Sequence, residues 1–337
     1  MVNEGAKLTI NDIAKKAKTS KTTVSFYLNG KFDKMSPDTK RRIEQVIEET
    51  NYSPNIMARS LKLKKSNLIG VVVADITNPF SSNIVKGIGE ITRRKGYQIL
   101  VGSTNLDYYN EEEYFKKMLD MGVDGFIVQP TKNFDKLYPT IKNKGKKIVV
   151  LDSVSSRYTG KWVKTNNYEI VYEAVLKLAE KGYEEFILVT EAPDKLAARM
   201  ERKTGFEDAV NKINCKSFIE IINENTEVDE IAEMLKINIS NNKKTVIFAI
   251  NGKILQKVFK AVKMEGFDVP NHVGIIGFDK WDWTMYASPS VTTIDQPTYE
   301  EGKYAAKMLI EMIEENDDFY KSEVFDCNIN WEESTDL

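Results

Sequence analysis

From Leu68 onward, short apolar runs alternate with longer amphipathic stretches. The first run, Leu68-Ile-Gly-Val-Val-Val-Ala74, is continuously apolar, as in a strand that is buried on both faces. Repeated strand–helix alternation builds parallel sheets that are covered by helices on both sides. The sequence therefore predicts an α/β architecture for most of the chain.

The alternation falls into two series, which predicts two doubly wound parallel-sheet lobes. The first series has predicted strands at 68–74, 98–103, 125–129 and 147–151, and helices at 80–95, 110–121 and 134–143. The second has strands at 186–190, 217–222, 245–250 and 273–278, and helices at 167–181, 196–213, 227–238 and 253–265. The stretch 162–165 is interpreted as a connection, and the tail as a strand at 291–294, a helix at 298–315 and a last strand near 324–329. Several crossings between two lobes form a hinge beside a cleft, the geometry of proteins that close on a small ligand.

The stretch 9–30 has the pattern of two short helices joined by a tight turn. The apolar face of the first helix consists of Ile10, Ile13, Ala14 and Ala17. Thr9 precedes this face and Asp12 follows three residues later, which resembles a capping box. Ser20 can cap a second helix, whose apolar residues are Val24 and Leu28. The pair is either a helix-turn-helix, whose second helix enters the major groove, or two surface helices of a small bundle.

A third helix is predicted after Ser36-Pro37, with a buried face formed by Ile43, Val46 and Ile47. The early turns of this helix carry Lys40, Arg41 and Arg42, which face either phosphates or water. Residues 53–66 offer only about two helical turns, too few for a stable isolated helix. This segment is either a hinge that orders on binding or a basic linker.

A length of 337 residues suggests two or three domains. We predict an all-α head at 1–52, a hinge or linker at 53–66 and a ligand-binding core at 67–337. Within the core, the N-lobe is predicted to comprise about 67–163 and 294–323, and the C-lobe about 164–293 and 324–337.

Charge is unevenly distributed along the chain. Residues 1–66 contain 14 Lys and Arg against 7 Asp and Glu, a balance of +7, whereas the remainder has a balance of −9. A basic head on an acidic body indicates that the head meets a polyanion. No apolar run approaches the ~20 residues that span a bilayer, and the first residues contain no apolar stretch of a secretory signal. The two cysteines lack metal-ligand spacing, so we expect a cytoplasmic protein without a metal or cofactor.

Motifs along the whole chain resemble those of LacI-family transcription regulators. In the head and hinge they are Leu8-Thr-Ile-Asn-Asp-Ile-Ala-Lys-Lys-Ala, Thr23-Val-Ser25, Leu28-Asn-Gly30 and Tyr52-Ser-Pro-Asn-Ile-Met-Ala-Arg-Ser-Leu61. In the body they are Ile69-Gly-Val-Val-Val-Ala-Asp-Ile-Thr-Asn-Pro-Phe80, Gly122-Val-Asp-Gly-Phe-Ile-Val128, Arg202-Lys-Thr-Gly-Phe206 and Gly277-Phe-Asp279. The reading helix, Lys21-Thr-Thr-Val-Ser-Phe-Tyr-Leu-Asn-Gly30, is similar to that of repressors of 2-keto-3-deoxygluconate and hexuronate use.

The resemblance implies a homodimeric repressor with a core of the periplasmic-binding-protein type. Each head would read half of a near-palindromic operator, and the paired hinges would insert Leu61 between base pairs of the minor groove. The residues implied to contact DNA are Thr9, Ser20, Lys21, Thr22, Ser25, Phe26, Asn29, Asn55, Ala58 and Leu61. Because one head spans one half-site and alone would bind weakly, we expect a two-fold dimer, and no heptad pattern signals a coiled-coil tetramer.

Two residues of the head depart from the family pattern. Phe26 stands where arginine is usual and cannot bond guanine O6 and N7, although it can pack on a thymine methyl. Phe26 is therefore either a base reader with a changed preference or a core residue of the head. Lys18 replaces the usual turn glycine, so the turn is either less tight or holds Lys18 in a left-handed conformation.

The effector cleft is implied at the strand ends, as in open α/β sheets. Its candidate residues are Asn78, Phe80, Asp152, Arg199, Arg202, Asn251 and Asp279. The alternative for each is a helix cap or a loop hydrogen bond. Asn251-Gly252 replaces the usual Asn-Asp and removes a carboxylate, while Lys195 and Arg199 add positive charge. Both changes favour an anionic sugar acid, which we expect to release the repressor from its operator.

Three alternatives compete with an effector-released repressor: a corepressor-dependent regulator, a sugar receptor without DNA-linked function, and a sugar-modifying enzyme. The chain has one histidine, His272, and no phosphate-binding Gly-rich loop that follows a strand, since Gly87-Ile-Gly89 falls within a helix pattern. His272 is interpreted as a loop residue. We therefore expect no enzymatic activity.

Overall fold

The computed structural model describes residues 8–53, 65–155, 157–240, 242–316 and 320–336. The chain divides into two compact units, Met1–Ser66 and Asn67–Leu337. The predicted boundary between the linker and the core lies at the same position. Asn55, Ala58 and Leu61 lie outside the described residues, and their contacts with DNA stay predictions.

Three α-helices form the described part of the head: α1 (Ile10–Lys16), α2 (Lys21–Leu28) and α3 (Pro37–Thr50). A short 3-10 turn, Phe32–Lys34, precedes α3. Each α-helix begins at a hydroxyl residue whose oxygen accepts a backbone N–H three residues later, and these N-caps are Thr9, Ser20 and Ser36. Such caps satisfy donors that a helix leaves open at its first turn.

The core of the head takes one fully buried side chain from each helix: Ile13, Val24 and Ile43. Ala14 and Ala17 are buried beside them, as predicted, and Tyr52 packs against the cluster. The turn between α1 and α2 holds Lys18 at φ 51°. This left-handed conformation is one that glycine adopts without a steric penalty, so the second of the two expectations for Lys18 is confirmed.

Strands of the second unit form two six-stranded sheets among the described residues. In chain order they are β1 (Leu68–Val73), β2 (Gln98–Ser103), β3 (Gly125–Val128), β4 (Lys147–Leu151), β5 (Lys161–Thr165), β6 (Glu185–Glu191), β7 (Lys216–Ile222), β8 (Thr245–Ala249), β9 (Val273–Phe278), β10 (Thr292–Asp295), β11 (Glu323–Phe325) and β12 (Asn328–Asn330). The first sheet has the order β11-β5-β4-β3-β1-β2 and is parallel throughout. The second has the order β12-β10-β9-β8-β6-β7 and is parallel except for β12.

Helices cover the two sheets. They are α4 (Pro79–Arg94), α5 (Tyr108–Asp120), α6 (Tyr138–Asn143), α7 (Asn167–Glu180), α8 (Ala197–Ile213), α9 (Val228–Asn238), α10 (Gly252–Glu265), α11 (Trp283–Tyr286) and α12 (Thr298–Ile313). Short 3-10 turns occur at Phe134–Lys136, Pro193–Lys195 and Glu333–Thr335. The two doubly wound lobes predicted from the alternation are confirmed.

Three predicted elements were wrong in detail. The connection at 162–165 is strand β5, which pairs with β4 on one side and β11 on the other. The last strand is two strands, β11 and β12, which belong to different sheets. The helix at 134–143 is interrupted before α6, where Pro139 occupies its first turn. The strands β5, β11 and β12 are only three to five residues long, too short for periodicity to reveal them, and their partner strands stabilise them.

The chain crosses between the lobes three times, after β5, after β10 and after β11. Residues 164–165 and 324–325 belong to the first sheet, although the sequence analysis placed them in the C-lobe. Residues 294–295 belong to the second sheet, although it placed them in the N-lobe. Each strand before a crossing continues as far as it pairs with a neighbouring strand. Because that neighbouring strand is distant in sequence, the local pattern does not show where the crossing begins.

Candidate nucleic-acid interface and ligand cleft

The first turn of α2 presents polar side chains at the surface of the head. Ser20, Lys21 and Thr22 are exposed, as are Thr9 and Asn29 at the neighbouring helix ends. Asn29 also ends α2, because its side-chain nitrogen donates to the Ser25 carbonyl at 2.6 Å. An open helix N-terminus with a lysine and a hydroxyl group suits contacts with base edges and phosphates.

Phe26 lies on the same helix and is half-buried. Within the described part of the head it is not among the side chains that pack on the buried cluster, whereas its neighbours Tyr27 and Leu28 are. This position favours the base-reader interpretation over a core role. Ser25 is also half-buried, one residue before it.

The basic residues at the start of α3 have partners of their own. The Lys40 ammonium lies 4.3 Å from the centroid of the Phe32 ring, and Arg42 is paired with Asp38 at 3.6 Å. Arg41 is exposed. Exposed pairs of this kind contribute little to stability and exchange easily for a phosphate.

A cleft of about 420 Å³ lies between the two lobes of the core. All seven candidate effector residues line it: Asn78, Phe80, Asp152, Arg199, Arg202, Asn251 and Asp279. The loops after β1, β4, β8 and β9 supply four of them, the first turn of α4 supplies Phe80, and α8 supplies the two arginines. The strand ends of both parallel sheets therefore meet at one site, as such sheets generally allow.

Two of these residues also serve as helix caps. The Asn78 side-chain oxygen accepts the Phe80 N–H at 3.0 Å at the start of α4. The Asn251 oxygen accepts the Ile254 N–H at 3.0 Å at the start of α10, and its nitrogen donates to Glu191 at 2.9 Å. The cap alternative from the sequence analysis thus applies to both, in addition to their place in the cleft.

Arg202 links several segments that line the cleft through hydrogen bonds. Its guanidinium donates to the Asn167 side-chain oxygen at 2.7 Å, to the Ile250 carbonyl at 3.0 Å and to the Gln296 side-chain oxygen at 3.2 Å. It also stacks on the Phe278 ring, 3.6 Å from the centroid. Arg202 is 7 % exposed, so a planar five-donor group is needed to make these contacts at once.

Arg199 has a carboxylate partner that the sequence did not reveal. Its guanidinium contacts Glu191 at 2.5 Å and donates to the Ala192 carbonyl at 3.0 Å. Burial lowers the pKa of Arg199, and the Glu191 carboxylate opposes that shift. Lys195, which was expected to add positive charge, is exposed and does not line this cleft. The expected positive charge from Lys195 and Arg199 is therefore smaller than predicted.

Asp152 lines the cleft and has one carboxyl oxygen without a hydrogen-bond partner among the described residues. Its backbone is left-handed at φ 62°, and its Oδ2 accepts from the Gln129 side chain at 3.1 Å. Its Oδ1 is buried and has no hydrogen-bond partner among the described residues. Burial raises the pKa of Asp152, against the effects of Arg202 and Gln129. A hydroxyl donor from a ligand would satisfy Oδ1.

Asp279 differs from Asp152 because both of its oxygens have partners. Oδ1 accepts from Gln296 at 2.6 Å, and Oδ2 accepts the Gly252 N–H at 3.1 Å. Gly252 stands where the family usually has an aspartate, and the Trp281 indole fills the space next to it. A Cβ at Gly252 would lie 2.5 Å from the Trp281 indole, so no side chain fits there without movement.

Sequence reasoning missed several residues of the cleft. Gln296 bridges Arg202 and Asp279, and Gln129 donates to Asp152. A lysine on α10, Lys253, forms an ion pair across the cleft with Asp75. Lys257 also lines the cleft. The only sequence signal for the glutamines is their place directly after β3 and β10, at the same sheet edges as the predicted residues.

Family models match both units of the chain. A model of periplasmic binding proteins and the sugar binding domain of the LacI family matches residues 66–329, and a model of bacterial regulatory proteins of the lacI family matches residues 9–55. The chain belongs to the LacI family. Its head is the family's DNA-binding domain, and the protein is a transcriptional regulator with a core of the sugar-binding type.

Curated relatives and solved structures agree with this assignment. The chain is 33 % identical over 313 residues to the HTH-type transcriptional regulator KdgR of Bacillus subtilis (strain 168), covering 91 % of each chain. It is 32 % identical over 337 residues to the probable HTH-type transcriptional regulator EndR of Paenibacillus polymyxa, covering 97 % of this chain and 98 % of that protein. The lac repressor dimer bound to operator and the anti-inducer ONPF has the same fold, with a TM-score of 0.85 at 19 % identity over 98 % of this chain and 99 % of that one.

These relatives of the LacI-family chain are regulators, not enzymes. Among the described residues, no group of three or more His, Cys, Asp and Glu could hold a metal ion. His272, the one histidine of the sequence, contacts the Ser240 carbonyl through its ring at 2.8 Å. No helix in the described ranges combines the length and apolar character that crossing a membrane requires.

Proposed function

We propose that this LacI-family regulator is a cytoplasmic, homodimeric repressor of carbohydrate-utilisation genes that a sugar acid releases from a near-palindromic operator. Closure of the lobes on the effector would act on the hinge at 53–66 and lower the affinity of the paired heads for operator DNA. Linkage then requires that operator DNA weaken effector binding by the same factor. The proposed ligand class is 2-keto-3-deoxygluconate and related hexuronate derivatives. The protein acts by binding, without catalysis.

The observation that carries this proposal is the mixture of acceptors and cations in one cleft. Asp152 lines the cleft, and its buried Oδ1, which has no partner among the described residues, would accept from a sugar hydroxyl group that reaches it. The Lys257 ammonium donates to the carbonyls of Glu224 at 3.0 Å and Thr226 at 2.7 Å, and it has no carboxylate partner among the described residues. A ligand with both hydroxyl groups and a carboxylate satisfies both. Similarity to KdgR and the resemblance of the reading helix support the same ligand class.

Lys257→Met is expected to weaken binding of 2-keto-3-deoxygluconate about tenfold, because one charge-assisted hydrogen bond is lost. Isothermal titration calorimetry of the full chain measures this affinity, with D-glucose as the neutral ligand. Lys260→Met is the matched control, since Lys260 is exposed on the same helix and does not line the cleft. Tighter binding of D-glucose than of the keto acid would contradict the sugar-acid proposal.

Phe26→Arg is expected to shift the selected operator toward guanine at one position in each half-site, by about tenfold, because arginine can bond guanine O6 and N7. Selection from randomised duplexes with the full chain measures the preference. Phe26→Leu is the control, because it keeps an apolar contact with a thymine methyl. An identical selection profile for all three chains would remove Phe26 from the reading residues.

The same calorimetric samples distinguish the competing functions. Turnover of a sugar would indicate an enzyme, and effector binding that leaves DNA affinity unchanged would indicate a receptor. DNA binding that is strengthened by a ligand or a partner protein would indicate a corepressor-dependent regulator.

A further inference from the structure

A buried glutamate lies beside the three crossings, outside the set of cleft residues. Glu301 is in the first turn of α12, just after the chain crosses from the second sheet to the first. It is 1 % exposed. Neither of its carboxyl oxygens has a hydrogen-bond partner among the described residues.

Hydrogen bonds tie the three crossing segments to each other at this point. Thr165, at the first crossing, donates to the Gln296 side chain of the second at 3.1 Å. Asn166 accepts the Cys327 N–H of the third crossing at 2.8 Å. Arg202 joins the first and second crossings through Asn167 and Gln296. Relative motion of the lobes must therefore change this junction.

The charged surroundings of Glu301 are unfavourable for a second anion. Beyond the effect of burial, the carboxyl groups of Asp152, after β4, and of Asp279, after β9, raise the pKa of Glu301, whereas Arg202 on α8 lowers it. The Cys327 thiol, at the third crossing, also faces this group. The Arg202 guanidinium is already hydrogen-bonded to three neutral oxygens, so it offsets the negative charge near Glu301 only in part.

A buried carboxylate without donors is far less stable than a protonated carboxyl group. Burial, with Asp152 as the second cause, raises the pKa of Glu301 to about 8. Glu301 therefore holds its proton in the arrangement described here at neutral pH. Ionisation would require water to reach the junction, and the crossing segments must separate to admit it.

We propose that Glu301 is the positioning residue of the hinge: its protonated form keeps the crossing segments together, and loss of the proton allows the lobes to open. Effector binding in the cleft would therefore depend on pH, and this dependence rests on the proposed function. Opening itself is a property of the core without any ligand. Effector that binds the closed cleft would be bound together with one proton, and its affinity would fall as pH rises above the pKa.

Small-angle X-ray scattering of the full chain without effector or DNA tests the inference. The radius of gyration of the unsubstituted chain is expected to increase between pH 6 and pH 9, whereas that of Glu301→Gln stays constant, because glutamine cannot ionise. Glu111→Gln is the matched control: Glu111 is 0 % exposed in the same lobe, but Thr131 donates to both of its oxygens, at 2.8 and 2.7 Å. This control should expand with pH as the unsubstituted chain does. Equal behaviour of the unsubstituted chain and Glu301→Gln would overturn the proposal.

Stability against pH provides a second test. A buried acid whose pKa is raised by folding stabilises the protein at low pH, and the unfolding equilibrium constant rises about tenfold per pH unit between the unfolded and folded pKa values. The melting temperature of the unsubstituted chain relative to Glu301→Gln should therefore fall from pH 5 to pH 8 and level off above. A constant difference would overturn the proposal.

If Glu301→Gln fails to fold, infrared spectroscopy of the unsubstituted chain at increasing pH tests the proposal instead. A protonated-carboxyl band that disappears near pH 8 supports the proposal, and no loss of such a band between pH 6 and pH 9 overturns it. None of these measurements uses a sugar. Failure to bind 2-keto-3-deoxygluconate would count against the proposed effector and leave the hinge inference standing.

Discussion

Gly87→Ala is expected to lower the stability of the core by about 3 kcal/mol, although alanine is the better helix former. Gly87 lies on α4, and a Cβ there would approach the Tyr299 carbonyl oxygen of α12 to 2.2 Å. Gly302 of α12 makes the reciprocal approach, since its Cβ would lie 2.3 Å from the Ile84 carbonyl oxygen. The two helices touch backbone to backbone, so neither can accept a methyl group unless the pair separates.

Gly89→Ala, two residues later on the same helix, is the matched control. Its Cβ would meet only the Ile99 side chain, at 3.8 Å. Alanine should therefore stabilise the helix by about 0.8 to 1 kcal/mol. Thermal unfolding followed by circular dichroism measures both variants, and shifts of roughly 2 to 4 °C per kcal/mol are expected for units of 150–250 residues. Equal shifts for the two variants would contradict this close packing of α4 and α12.

Arg202→Met is expected to lower the stability of the core by about 3 to 5 kcal/mol, because it leaves buried carboxyl groups without their cation. Methionine keeps the apolar stem that packs on Phe278, so the loss reports mainly on the charge and the three hydrogen bonds. The deficit should shrink in acid, because burial raises the pKa of Asp152 and its carboxylate takes up a proton there. The effector response should be lost at every pH, because the junction no longer links the crossings.

Lys203→Met on the same helix is the control for Arg202→Met. Lys203 pairs with Glu207 four residues later at 2.5 Å, near the surface, where such pairs contribute less than about 1 kcal/mol. Denaturant unfolding at pH 5 and pH 7.5 measures both variants. A loss for Arg202→Met no larger than that for Lys203→Met, or one independent of pH, would show that Arg202 does not neutralise the buried cluster.

Local patterns in the sequence were sufficient for the head and for most of the core. The caps at Thr9, Ser20 and Ser36 involve residues three positions apart, so the printed order of residues contains the whole interaction. Central strands such as β1 are apolar along their length because both faces are covered, and this burial is visible as composition. The candidate cleft residues came from the family resemblance, and the strand ends that carry several of them share one edge of a parallel sheet.

The sequence by itself therefore determined the features that depend on neighbouring residues: the helices and their caps, the buried strands and the two-lobed α/β class. Its motifs also indicated the family. Only the tertiary structure decided which polar groups meet. Lys253 reaches Asp75 and Arg202 reaches Gln296 across long sequence separations, and Arg199 on α8 reaches Glu191 on β6. The tertiary structure also decided the pairing of β5 and β11, and the burial of Glu301 beside the crossings. The physical reason is that pairing, desolvation and the resulting pKa depend on distances in space, which no local pattern specifies.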